Sequence, residues 1–515
     1  MIRTPLQLIP PALGEQISSN LGVTIAIVVL YALVFAGISI LARRRFSGSV
    51  TDHLVANRSL GWFVTAITIL ATGFSGVGIA GFPGTVYGLG APFLLVILVG
   101  FSATAPVMWF LGRRMWRLGN EYGFETPGDL LGEYYGSDAI RVYSALISAA
   151  FNIIYTVAQL LAGGILISVL SGGVVAFELG LVIMAVIVFS HVVLTGVRGI
   201  AYLDTFNGVL ITVVLVLFGG FIVSTAGGLA NIFNALPEPV RSGHISLPSL
   251  SGAFTPEVVL LFGIFFTFGT WLMSPAVWIR VYSFDKPRNI VKVVATVLGF
   301  LAISYIPGIY LVGEFGASQL PDVGNPDFVS SLLAFEVLPF ALAALFLTAV
   351  LAAVISTADS YLHSMAATFT RDIVKAVADE DMSDKRELQI NYAVIFVTTV
   401  VSIGFALFYP SLLTTLAAFA GAFTVMLLPA LVGAVAWPRA NTPGALAGLV
   451  AGHTLVLIYQ FNLVAIPNPF PVPLAPGLIV GLAANVVLLV SISYAMGPVS
   501  RERIEKFHGY LAQEL

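Results

Sequence analysis

Apolar residues run along this chain in long blocks, and polar residues gather in the short gaps between them. A helix that crosses the hydrocarbon core of a bilayer needs about 20 apolar residues. Thirteen blocks reach that length: 22–42, 62–89, 91–112, 140–170, 174–195, 199–228, 255–280, 291–313, 334–370, 390–409, 411–435, 443–461 and 475–497. In chain order they are spans one to thirteen. Several exceed the length of a perpendicular crossing, which predicts tilt, kinks or extension into water. The expected fold is all-α and integral to the membrane.

Two spans carry helix breakers in their interiors. Span two contains Ala71-Thr72-Gly73-Phe74-Ser75-Gly76-Val77-Gly78 and ends in Gly81-Phe82-Pro83-Gly84. Gly76–Gly81 fits GxGxxG literally, but the dinucleotide reading needs a preceding strand, and this segment lies inside an apolar run. Two readings remain: close helix packing through small residues, or a discontinuous helix whose freed carbonyls face a cavity. Span seven contains Phe268-Gly269-Thr270-Trp271-Leu272-Met273-Ser274-Pro275. Pro275 removes a backbone donor and disfavours helix at Ser274. Breaks five spans apart predict two five-helix halves of opposite orientation, 62–228 and 255–435. A first helix and loop (22–61) precede them, and 436–515 supplies the last helices and a short tail.

Composition agrees and narrows the picture. The chain has 515 residues, of which 58% are hydrophobic and 10% charged, against about 25% charged in a soluble domain. Its mean hydropathy is +0.98. Net charge is −3, with no excess of bases to bind nucleic acid. There are no cysteines, which excludes thiol catalysis and cysteine metal sites. The first apolar run ends in Arg43-Arg44-Arg45 with no small-residue cleavage site, so no secretory signal is expected.

The bases orient the chain. With the N-terminus outside, all 23 Lys and Arg fall on the cytoplasmic side except Arg3 and Arg241, as the positive-inside rule requires. An N-out, C-in protein of the cell membrane follows. The charged loop 371–389 is expected to be a cytoplasmic connector. No Lys or Arg is placed within a span; Arg280 marks the end of span seven.

Few carboxylates lie inside the spans. Glu178, Glu257 and Glu336 sit at external helix ends, and Trp62 at a span edge is an interfacial anchor. Asp204 and Asp359 lie deeper. A charge at mid-membrane costs roughly 2.5–3.5 kcal/mol on insertion scales, and residues kept at that cost usually line an ion or solute path. Asp204 can instead pair with nearby Arg198. Asp359 belongs to Ala353-Val354-Ile355-Ser356-Thr357-Ala358-Asp359-Ser360, where Ser356, Asp359, Ser360 and His363 share a helix face. Hydroxyls and a carboxylate offer hard oxygen ligands, as Na⁺ requires; the alternative is hydroxyls bonding back to their own helix. In span four, Asn152, Tyr155 and Gln159 form a polar stripe, which suits interhelical bonding or a solute pocket.

These residues resemble the sodium:solute symporter family over about 22–497. The resemblance rests on Ala353–Ser360, Thr72–Gly84, Trp437-Pro438-Arg439 with Gly444, Ala445, Gly448 and Gly452, and Gly199–Asn207 around Asp204. It implies two inverted five-helix repeats with spans two and seven discontinuous, and a sodium site between spans two and nine. The carbonyls of Ala71, Phe74 and Ala353 and the hydroxyls of Ser356 and Thr357 would be its ligands. Asp204 would lie on the sodium exit path, and a second sodium would fall to Asp204, Ser356, Asp359 and Ser360. Ser75, Gly76, Tyr155, Gln159, Trp271 and Ser274 would line the solute pocket.

Proline carriers of the family have an aspartate at the position of Gly73 and a Gly-Gln-Pro-His run near Leu272–Ala276. Both departures weaken a proline assignment, and the run Tyr155–Gln159 looks closer to carriers of short monocarboxylates.

The expected function is sodium-coupled import of a small organic solute, such as a short monocarboxylate or proline, with Na⁺ as coupling ion and no organic cofactor. Two alternatives stay open. One is proton coupling through Asp204, Asp359 or His363, and the other a membrane sensor on a transporter scaffold. No HExxH, P-loop or shared-site catalytic triad suggests an enzyme. The bilayer is the one partner besides the solute, and the oligomeric state is open.

Overall fold

The computed structural model describes residues 11–236, 256–320, 323–376, 382–408, 413–464 and 475–513. Arg3, Arg241 and most of the connection 229–254 lie outside the described residues. Within them the chain is helical, with one isolated parallel bridge between Leu60 and Phe284. Ten helices are long and apolar enough to cross a membrane, and two further helix pairs qualify as bent spans.

The bent pairs are spans two and seven. Trp62–Gly73 and Val77–Leu89 meet at 56°, and Val259–Leu272 and Pro275–Ser283 at 63°. Both breaks fall where glycine and proline interrupt the apolar run. Spans five and six form one 49-residue element, Phe177–Thr225, interrupted at Gly196 (φ 59°, ψ −168°). Only glycine adopts that geometry readily, and a Cβ there would lie 2.6 Å from His53 Nδ1. Span three runs on past 112 to Tyr122. Span nine starts at Phe340, after a separate helix Val329–Val337 that Leu338 and Pro339 terminate.

Burial separates centre from periphery. In spans four (Asp138–Leu170) and nine (Phe340–Lys375), 78% of the most apolar window is buried, against 6% in span one (Leu21–Arg44). Span one shows Leu30, Leu33, Ile40 and other large apolar side chains outward. Lipid would cover such a surface without cost, since hydrocarbon is as apolar as leucine. Spans four and nine pack against each other and against the single element of spans five and six at the centre, and the broken spans lie beside them. Trp62 is partly exposed, with Lys292 Nζ 5.8 Å from its ring centroid, in keeping with an interfacial position.

Candidate ion and solute site

The first half of span two ends at Phe74, whose φ of −76° and ψ of 63° leave the helical region. A helix end releases backbone groups that need other partners. Here Gly76 N donates to Gln159 Oε1 at 2.8 Å and Gly78 N to Ser75 Oγ at 3.1 Å. Gly76 has no room for a side chain, since a Cβ would lie 2.6 Å from Ala162 Cβ. The discontinuous helix is therefore the correct reading of the glycine-rich segment, with close packing as its means.

The released carbonyls find hydroxyls. Thr357 Oγ1 donates to the Ala71 carbonyl at 3.4 Å, and Tyr305 OH to that of Gly73 at 3.3 Å. Spans two and nine thus meet at two of the residues expected to hold sodium. Ser356, one position back, donates to Asp204 Oδ1. Ala71, Phe74, Ala353, Ser356 and Thr357 are all buried. Asn207 Nδ2 holds the neighbouring Ala352 carbonyl at 3.2 Å and fixes the ninth helix against the sixth.

Asp204 is buried, and its partner corrects the sequence expectation. Arg198 is engaged elsewhere, with Asp52 Oδ1 at 2.6 Å. Asp204 pairs with Arg280, whose Nη2 is 3.0 Å from Oδ2. Arg280 is only 2% exposed, so the statement that no base lies within a span is also corrected. Its Nε donates to Thr68 Oγ1 at 3.0 Å, its Nη2 to Ser360 Oγ at 2.5 Å, and its Nη1 to the Ala276 carbonyl at 3.0 Å. Thr68 in turn donates to Asp204 Oδ2, and Ser360 to the Ser356 carbonyl at 2.8 Å. Every hydroxyl proton has one destination, and the carboxylate accepts from three donors. The network ties spans two, six, seven and nine together.

Asp359 faces another way. Its Oδ2 meets His191 Nδ1 of span five, and both side chains are buried. The four residues expected to share a second sodium are therefore divided. Asp204 and Ser360 hold a guanidinium, and Asp359 holds an imidazole. His363 approaches the Leu54 carbonyl at 3.2 Å and lies outside both clusters.

Gln159 and Tyr155 share the surroundings of the broken helices, whereas Asn152 accepts from Ser364 Oγ at 2.8 Å and serves interhelical bonding. The Tyr155 ring lies 4.7 Å from that of Phe151 and 4.8 Å from that of Tyr361, and its hydroxyl meets Thr270. Ser274 Oγ is buried and has no hydrogen-bond partner among the described residues. Trp271 stands edge-on to Phe101 at 5.3 Å. A Cβ on Gly73 would lie 3.2 Å from Trp271 Nε1, so any larger residue there crowds the indole. Trp271 Nε1 and Gln159 Nε2 are buried donors without an acceptor among the described residues.

Arg280, Thr68, Tyr305 and His191 were not legible as site residues. Thr65, Thr68 and Thr72 recur at i, i+3 and i+7 on one face of span two. That spacing is a signal that could have found Thr68.

Comparison with known proteins decides the family. The model of the sodium:solute symporter family matches residues 53–452. The chain belongs to the sodium:solute symporter family. Members of the family similar to this chain include the sodium/pantothenate symporter of Escherichia coli (strain K12), 28% identical over 84% of this chain and 89% of that protein. The sodium/proline symporter of Staphylococcus aureus (strain USA300) is 23% identical over 87% and 88%. Among solved structures, a Na⁺-coupled sialic acid symporter in a substrate-bound outward-open state superposes with a TM-score of 0.79. That match has 15% identity and covers 93% of this chain and all but 1% of that one, or 99%. A nucleobase-cation-symport-1 family transporter in a closed conformation gives 0.54 at 16% identity, covering 89% and 98%. The sodium:solute symporter family consists of transporters, so the chain is a multi-pass plasma-membrane transporter and not an enzyme.

Proposed function

We propose that the chain imports a small organic solute bearing one carboxylate, a short monocarboxylate or an amino acid such as proline, driven by one sodium ion. Thirteen spans with the N-terminus outside and two inverted repeats, 62–228 and 255–435, form the framework. The observation that carries the reading is the meeting of Thr357 with the Ala71 carbonyl at the break of span two. Ala71, Phe74 and Ala353 would give carbonyl oxygens to sodium, and Ser356 and Thr357 hydroxyl oxygens. All are hard, uncharged donors, which suit a monovalent cation that must also leave. Asp204 takes the Ser356 proton and so turns the oxygen lone pairs away from itself. Sodium would bridge span two to span nine, favour the outward-open state and complete the solute pocket.

The carboxylate reading rests on the donors. Trp271 Nε1 and Gln159 Nε2 beside the break have no acceptor among the described residues, and a buried donor left unpaired costs about 1–3 kcal/mol. Ser75, Gly76, Tyr155 and Ser274 complete the proposed pocket. Pantothenate and proline, named for two relatives, both carry a carboxylate. Arg280 stands where the second sodium was expected, as a fixed cation on Asp204 and Ser360.

Uptake of labelled proline, acetate, pyruvate, pantothenate and sugars into proteoliposomes, with and without a sodium gradient, tests the function. Uptake driven by a pH gradient without sodium would favour proton coupling instead. Ser356→Ala and Thr357→Ala are each expected to raise the sodium concentration for half-maximal uptake by about tenfold, equivalent to about 1.4 kcal/mol. Solute affinity at saturating sodium should change much less. Unaltered sodium activation in both variants would remove these residues from the site.

A further inference from the structure

The basic end of the molecule holds a second constellation, to which ion and solute binding give no role. After the last span, Arg501–Ile504, Glu505–Gly509 and Tyr510–Ala512 form a continuous helical run. Phe507 on this run is fully buried. Its ring centroid lies 5.2 Å from that of Tyr134, 6.0 Å from Phe124 and 6.1 Å from Tyr122.

Polar contacts fasten the rest. Arg117 donates to the carbonyls of Leu511 at 3.0 Å and Tyr510 at 3.2 Å. These lie at a helix C-terminus, where carbonyls lack partners and a cation is favoured. Tyr122 OH donates to the Lys506 carbonyl at 2.8 Å, and Lys506 Nζ to Glu133 Oε1 at 2.6 Å. Arg503 lies against Gly136, where a Cβ would come 2.0 Å from its guanidinium carbon. Burial pushes the His508 imidazole down to about 4, so it is neutral near pH 7.

The surface that receives this run also holds both broken spans. Phe124, whose ring rests on Phe507, gives its carbonyl to Arg58 Nη2 at 3.0 Å. Arg58 Nη1 binds the Tyr282 carbonyl at 3.1 Å. Arg58 precedes span two, and Tyr282 ends span seven. The helix Arg113–Tyr122, which carries Arg117, touches the same exit. Trp116 Nε1 donates to the Phe284 carbonyl at 2.8 Å, and a Cβ on Gly119 would lie 2.4 Å from the Tyr282 ring. Leu60 N donates to the Ser283 carbonyl and Asp285 N to that of Leu60, each at 3.2 Å. Contacts therefore run unbroken from Phe507 through Phe124 and Arg58 to the ends of spans two and seven.

We propose that Arg501–Ala512 is an intramolecular clasp that keeps the cytoplasmic ends of spans two and seven together, and that Phe507 and Arg117 position this gate. The proposal rests on the transport reading and orientation above. Inward opening has to separate Arg58 from Tyr282 or move both off Phe124, and the docked run opposes either motion. Removing the clasp raises the population of the inward-open state. Sodium coordination, which uses none of these residues, is unchanged.

The native chain has no cysteine, so Ser283→Cys gives a single reporter at the buried exit of span seven. Its labelling by a membrane-impermeant maleimide from the cytoplasmic side, in proteoliposomes of the full chain, reads the gate. Phe507→Ala is expected to speed labelling on the order of tenfold, and Phe507→Leu to restore most of the protection. Lys506→Ala, which loses only a partly exposed contact, gives a smaller increase and serves where Phe507→Ala fails to fold. Equal labelling rates with native Phe507, Phe507→Ala and Lys506→Ala overturn the clasp. Sodium-driven uptake by the native protein, measured separately, shows whether the transport reading itself has failed.

Discussion

Arg280→Gln is expected to unfold most of the protein or leave it without sodium-driven uptake, and a second change, Asp204→Asn, to recover much of the loss. Breaking a buried ion pair from one side costs about 3–5 kcal/mol, because the remaining charge is uncompensated. Replacing both partners by neutral groups costs far less, since burial then carries no desolvation of charge. Arg280 and Asp204 are both buried, and Thr68, Ser356 and Ser360 complete their hydrogen bonding. Thermal unfolding of the two single variants and the double variant in detergent measures the coupling as a double-mutant cycle. The double variant should fold yet need more sodium for uptake, because the carboxylate that orients Ser356 is gone. A single Arg280→Gln variant with native unfolding temperature would show that Asp204 is compensated in another way.

Gly269→Ala is the second large effect expected. A Cβ at Gly269 would come 2.0 Å from the Gly421 carbonyl oxygen. The obstacle is backbone, so no rotamer can relieve it, and Thr424 Oγ1 already binds the Gly269 carbonyl at 2.5 Å. Overpacking typically costs about 1–3 kcal/mol, and this contact belongs at the upper end. The strain falls on the wide turn Phe268–Leu272 that leads into the break of span seven. Uptake is expected to drop below about a tenth of native, by the tenfold per 1.4 kcal/mol rule. Gly421→Ala is the comparison: its Cβ would meet the Thr270 methyl at 2.5 Å and the Thr270 backbone nitrogen at 3.1 Å, a milder backbone obstacle than a carbonyl oxygen at 2.0 Å. Equal uptake and unfolding temperature in both variants would refute the argument from rigidity.

The membrane character, the two breaks and the oxygen-rich face of span nine were legible because each is local. Apolar length, a proline after a serine and hydroxyls at helical spacing need no knowledge of neighbours. Arg280 was not legible for a geometric reason. Counting along one continuous span puts it at the end of a straight helix. The real helix stops after Leu272, turns by 63° and runs to Ser283, which carries Arg280 inward. Arg198 was the wrong partner for Asp204 on similar grounds. Six residues along a helix rotate the side chain by about 240°, away from the starting face, and Arg198 turns to Asp52 instead. His191 needed Asp359 from another helix, and nothing within span five marks it.

A guanidinium fixed against Asp204 also bears on the energy available for transport. On the proposed one-sodium reading, a zwitterion such as proline would cross with one net positive charge, whereas with a monocarboxylate the transported charges would cancel. The membrane voltage, about 2.3 kcal/mol per elementary charge per 100 mV, then does no work on the cycle. The sodium concentration ratio alone sets the limit of solute accumulation, at about 1.4 kcal/mol for each factor of ten. Arg280 holds a permanent cation on Asp204 and Ser360, where a second ion was expected; on the proposed one-sodium reading, a monocarboxylate carrier built this way would work equally on a polarised or a depolarised membrane.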